Sequence, residues 1–190
     1  MNAKASSLTA IAHAALKHLN YHLGFGFLGS LPTDIWSRAY THALRGAGAT
    51  IGARSAVHWK VHVWHPENLS IGQEVRIPAS CDLAGMAPVT IGDRTQIGAG
   101  VRFITNFHPF DDPTVTEIEQ RRGYQYPIGV GSDCWIMNNV ILVAKRGGLT
   151  IGEGAWLAAG AIVTRNVPPR ELWAGVPARL VRRLAMREQL

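Results

Sequence analysis

His108 is the residue of this chain best placed by sequence to move a proton. It closes the run Val101-Arg-Phe-Ile-Thr-Asn-Phe-His108, where a regular spacing of aliphatic residues stops, and opens an irregular stretch over 106–127. An imidazole titrates near neutral pH, so it can take a proton from a weak nucleophile and return it to a leaving group. Loops carried by a regular scaffold are where such residues tend to sit. A second cluster is cationic: Arg165, then Arg182-Arg183 near the end of the chain. Guanidinium forks suit phosphate oxygens, although a basic run is as readily a solvated helix face. A third is His58, His62 and His65, from which, with His108, a zinc ligand set can be drawn. The two cysteines, Cys81 and Cys134, follow no metal or redox spacing and read as small buried residues.

The elements that must hold these groups are written in a six-residue beat. Ile51, Val57, Val63 and Leu69 fall six apart, as do Ile71, Ile77 and Leu83, and then Ile91, Ile97 and Phe103. Beyond the irregular stretch the beat resumes at Val130, Ile136 and Leu142, and again at Ile151, Leu157 and Val163. Many beats carry Ile-Gly followed by a polar residue. A period of six matches neither a helix face nor a plain alternating strand. It matches a parallel β-helix, in which each hexapeptide supplies a short strand and a corner, and three make one coil. On that register His58 and His62 flank the inward Val57 and Val63 and lie on the outer surface, which weakens the zinc set.

Residues 1–48 differ. Leu8, Ile11, Ala15, Leu16, Leu19 and Leu23 give a helical stripe, broken by Gly24, Gly26, Gly29 and Pro32. Thr33 or Asp34 can cap a second helix through Leu44, ended by Gly46 and Gly48. The expected organisation is a helical cap over 1–48, a β-helix over 49–184 interrupted by the loop 106–127, and a tail at 185–190. A short C-terminal helix is expected to follow the coils. Residues 1–48 also admit a second reading, an interfacial helix that contacts a membrane surface.

The chain has 190 residues, 47% of them hydrophobic, with 20 Gly and 10 Pro, as suits a turn-rich fold with one core. Its formal net charge of +6 favours polyanionic partners. Recognition-helix signatures and aromatics interleaved with the basic cluster are missing, so nucleic acid is not the expected partner. The histidines and lysine within Leu8–Leu23 argue against a signal peptide, and no apolar run reaches membrane-span length. A cytoplasmic protein, peripheral to the inner membrane face if residues 1–48 bind lipid, is the expectation.

Several motifs together carry a resemblance. The Ile-Gly hexapeptides, Val89-Thr-Ile-Gly-Asp93, His108-Pro109, Cys134-Trp-Ile136, Gly160-Ala-Ile-Val-Thr-Arg165, Val167-Pro-Pro169 and Ala174-Gly-Val-Pro-Ala-Arg179 resemble the hexapeptide-repeat acyltransferases. The nearest branch is that of the maltose, galactoside and nodulation-factor O-acetyltransferases and the exopolysaccharide acetyltransferases. The likeness spans about 50–184. It implies a left-handed β-helix, an exception to the usual crossover hand, and a homotrimer with active sites between subunits. It implies acetyl-CoA as donor, no metal, and a saccharide or saccharide-bearing acceptor, with O-transfer favoured over N-transfer.

By the same resemblance His108 is the general base, and Trp135, Asn138, Ala159, Gly160, Thr164, Arg165 and Arg182 line the CoA groove. The partner that orients His108 stays open among a backbone carbonyl, Asn106 and the acids of Asp111–Glu119, because Phe107 replaces the aspartate of an Asp-His pair. Gly85 or Met86 stands where the disaccharide-modifying branch has a sugar-holding aspartate, with Asp82 out of step. His65-Pro-Glu-Asn-Leu69 is instead similar to polysaccharide-modifying members. Two alternatives remain beside this reading: a zinc-dependent, carbonic-anhydrase-like β-helix enzyme and a non-catalytic assembly module.

Overall fold

The computed structural model describes residues 33–83, 85–108, 116 and 123–185. Residues 50–183 wind into a three-sided parallel β-helix. The first face stacks Thr50–Ile51, Leu69–Ile71, Val89–Ile91, Ile128–Val130 and Leu149–Ile151. The second stacks Ala56–Val57, Arg76–Ile77, Gln96–Ile97, Trp135–Ile136, Trp156–Leu157 and Glu171–Gly175. The third stacks His62–Val63, Asp82–Leu83, Arg102–Ile104, Ile141–Val143 and Ile162–Val163. Parallel register joins like to like: Ile51, Ile71, Ile91, Val130 and Ile151 form one inward file. Val63, Leu83, Phe103, Leu142 and Val163 form another. None of the beat residues is more than 8% exposed, so the hexapeptide period is the spacing at which the backbone turns a side chain into the core.

The corners explain the Ile-Gly pairs. A Cβ on Gly72 would stand 2.7 Å from the Asp93 amide nitrogen of the next coil, closer than any side chain tolerates. Two residues after the glycine of each such corner, Arg54, Glu74, Arg94 and Asp133 adopt left-handed backbone with φ of 57°, 59°, 54° and 57°. Their charges alternate up the corner. Arg54 pairs with Glu74, and Arg94 grips both Asp133 oxygens at 2.8 and 2.6 Å. The Asp93 carboxylate accepts the Gln73 N–H at 2.7 Å, tying one coil to the next.

The helix α1, Thr33–Gly46, packs against the first coil. Its end is a left-handed glycine turn: Gly48 has φ +104°, its N–H meets Arg45 O at 3.1 Å, and the Ala49 N–H meets Leu44 O at 3.0 Å. Among the described residues no further coil lies below the first to satisfy its backbone, and α1 supplies partners instead. Thr41 Oγ1 accepts the Val57 N–H at 2.9 Å, the Tyr40 hydroxyl donates to Val61 O at 3.0 Å, and Arg45 donates to Ile51 O. The Leu8–Leu23 stripe lies outside the described residues.

At the other end the expected C-terminal helix gives way to a hairpin. Ala178–Arg183 pairs antiparallel with Glu171–Gly175. The edge of the last parallel strand needs backbone partners, which a returning strand supplies from its own backbone. The hairpin also shelters Glu171, 6% exposed, whose carboxylate accepts the Trp173 indole N–H at 2.9 Å and faces Arg183 at 3.6 Å. Residues 186–190 lie outside the described set.

Candidate active site

The coil is interrupted where the sequence beat pauses. Corner partners across the interruption, Asp93 and Ser132, stand 39 residues apart, against 20 for Arg54 and Glu74 lower in the stack. Register is nonetheless kept, with Val89 beside Ile128 and Ile91 beside Val130. The inserted chain leaves from the third face and returns to the first. Its root is a two-stranded antiparallel ribbon, Asn106–Phe107 against Tyr124–Gln125. Thr105 is fully buried below it, and its carbonyl accepts the Tyr126 N–H at 2.7 Å. The Tyr124 and Tyr126 rings stack at 6.2 Å. His108 follows the ribbon directly and is exposed, so the scaffold delivers an accessible imidazole at the corner between the third and first faces. Asn106 is exposed at the same root. The acids of 111–119 lie outside the described residues.

The donor-side candidates fall into three places. Trp135, 45% exposed, stands on the outside of the second face and meets Trp156 edge to face at 5.1 Å. Register carries that file through Leu172 to Arg182. Asn138, Ala159 and Gly160 occupy the corner between the second and third faces, where the Gly160 N–H donates to Asn138 O at 2.9 Å. Gly160, at φ +71°, leaves open space where a Cβ would point, a gap suited to a slim ligand. Thr164 and Arg165 follow Ile162–Val163 at the corner from which the loop departs two coils lower. In a three-sided coil that corner lies opposite the second face. One chain therefore joins Trp135 with Arg182, and Asn138 with Gly160, but leaves Arg165 and His108 across the body from Trp135.

The remaining candidates resolve differently. Burial pushes both thiols up, Cys81 and Cys134 alike, so neither offers a thiolate near neutral pH. His58, His62 and His65 do not converge. His58 Nδ1 accepts the Lys60 N–H at 3.1 Å, His62 faces Asp82 at 3.6 Å, and His65 meets Glu67 at 3.0 Å. Among the described residues no three His, Cys, Asp or Glu side chains gather to hold a metal ion. A shallow concavity of ≈ 220 Å³ on the first face, lined by Thr90, Gly129 and Thr150, contains no titratable side chain.

Sequence reasoning placed His62 on the outer surface but did not join it to Asp82 and Arg102, which stand with it in mutual register as an outward file on the third face. Each stands one residue before an inward beat, so the signal was present in the pattern that located Val63, Leu83 and Phe103.

The solenoid, the excursion that interrupts it and the histidine at its root define a parallel β-helix with a candidate acid–base site. The chain is 37% identical over 140 residues to nodulation protein L of Rhizobium meliloti, covering 72% of each. It is 29% identical over 167 residues to the galactoside O-acetyltransferase of Escherichia coli, covering 88% of this chain and 78% of that protein. A hexapeptide-repeat acetyltransferase of Vibrio cholerae, solved with acetyl coenzyme A, superposes with a TM-score of 0.76 at 28% identity, covering 98% of this chain and 92% of that one. No protein-family model matches the chain. The chain belongs to the hexapeptide-repeat acetyltransferases.

Proposed function

We propose that this acetyltransferase moves the acetyl group of acetyl-CoA to a hydroxyl of a saccharide or saccharide-bearing acceptor, with His108 as general base. The observation that carries the proposal is the exposed His108 at the root of the excursion interrupting the coil. A hydroxyl is a weak nucleophile at neutral pH. His108 takes its proton as the oxygen attacks the thioester carbonyl, then returns it to the departing CoA sulfur. Backbone N–H groups at the coil corners are the donors on hand for the tetrahedral oxyanion. With both cysteines buried and protonated, direct transfer is favoured over an acyl-cysteine intermediate.

Trp135, Asn138, Ala159, Gly160, Thr164, Arg165 and Arg182 hold the donor, the two arginines through its phosphates. Their division across one body supports a site assembled between subunits, and with it a homotrimer of left-handed coils. The saccharide is favoured by the galactoside O-acetyltransferase among the relatives. The test is CoA-thiol release from acetyl-CoA with a panel of oligosaccharides, nucleotide sugars and lipid-linked glycans. Release above the hydrolytic background with a hydroxyl-bearing sugar supports the proposal. Release with amino sugars alone would replace O-transfer by N-transfer.

A further inference from the structure

The outward file on the third face has the composition of a surface that reads sugars. His62, Asp82 and Arg102 sit on adjacent strands in register, a run of about 10 Å at the spacing of neighbouring strands. Trp64 extends it: its side chain is 54% exposed and meets the His62 ring edge to face at 4.8 Å. Asp82 is half-exposed, yet its Oδ1 is shut from solvent with no hydrogen-bond donor among the described residues; His62 Nδ1 lies 3.6 Å away. That distance is an ion-pair contact too long for a hydrogen bond. The Asp82 side chain as a whole is 41% exposed, which leaves the carboxylate reachable by an arriving hydroxyl.

The strip thus offers an indole surface for the C–H faces of a pyranose, a carboxylate that accepts from hydroxyls, and a guanidinium and imidazole that donate to them. Its charges oppose one another along the file, so it does not select for an ionic ligand. It also has a direction. The Arg102–Ile104 strand runs through Thr105 into the ribbon that ends at His108.

We propose that Trp64, His62, Asp82 and Arg102 form an extended acceptor subsite. It holds the sugar units beyond the one being acetylated, which makes the preferred acceptor a neutral glycan of several units. The inference rests on the saccharide reading of His108.

Binding and turnover separate the two. Full-length protein is titrated calorimetrically with maltose-series, galactose-linked and N-acetylglucosamine-linked oligosaccharides, each against its own monosaccharide. Affinity rises with length in at least one series, and Trp64→Ala or Asp82→Ala removes roughly five- to tenfold of it. Both variants keep the wild-type affinity for acetyl-CoA and the wild-type thermal midpoint. In turnover they raise KM for the long acceptor and leave kcat unchanged. Length-independent binding in every series, or variants that bind long glycans like wild type, would overturn the subsite. Glycan binding without CoA release from any acceptor would instead remove the saccharide-acetylation reading.

Discussion

At Asn138 a group carried over as a donor contact also holds the scaffold together. Its Oδ1 accepts the Ala99 N–H of the coil below at 3.0 Å, and a Cβ on Gly98 would collide with its backbone nitrogen at 2.5 Å. Asn138→Ala therefore lowers stability by about 1 kcal/mol, the net worth of an ordinary hydrogen bond, whatever it does to the donor. Asn138→Asp keeps the acceptor and the stability. Equilibrium urea unfolding of both variants, beside their acetyl-CoA affinities, divides the roles. An affinity that falls in both, with stability lost only in the alanine, places the carboxamide nitrogen on the donor. The same discipline applies to Trp156 and Trp173. The first braces Trp135, and the second packs against the core with its indole N–H on Glu171.

At the level of elements, the parallel coils were legible because their rule is local. A beat residue points inward, the corner after it needs glycine, and the residue before it points outward. The C-terminal hairpin was not legible. Arg182 and Arg183 read as a solvated helix face, and only the unfilled edge of Glu171–Gly175 favours a returning strand. For α1 a helix from Thr33 or Asp34 through Leu44, ended by Gly46 and Gly48, was legible to within two residues of the observed Thr33–Gly46, but its docking was not, since nothing local pairs Tyr40 with Val61. That contact has a pH signature. Burial raises the Tyr40 hydroxyl from its ordinary 10.0 to about 12. The folded value exceeds the unfolded one, so the contribution is complete below pH 10 and is lost as pH rises through about 12. Wild type should lose about 2–3 kcal/mol more than Tyr40→Phe over that window in urea unfolding. Parallel curves for the two proteins would remove Tyr40 from the linkage.

On the scale of the whole molecule, the arrangement of Trp135 and Arg182 opposite His108 bears on assembly. If these residues serve one reaction centre, they come from different subunits. Sedimentation equilibrium should return a trimer. Co-refolded mixtures of His108→Ala and Arg182→Ala subunits should regain turnover at sub-saturating acetyl-CoA beyond the sum of the separate variants. Mixtures no more active than that sum would place each site within one chain. Residues 1–32 and most of 109–122, where the membrane reading and the acids beside His108 fall, lie outside the described residues.

His108 is where the chemistry is most directly tested. With acetyl-CoA and an acceptor found by CoA release, the kcat of His108→Ala is measured beside its acetyl-CoA affinity and sedimentation mass. A fall in kcat of roughly two to four decades, with affinity and mass unchanged, is the outcome expected for loss of the general base. A kcat equal to that of the wild type would contradict it.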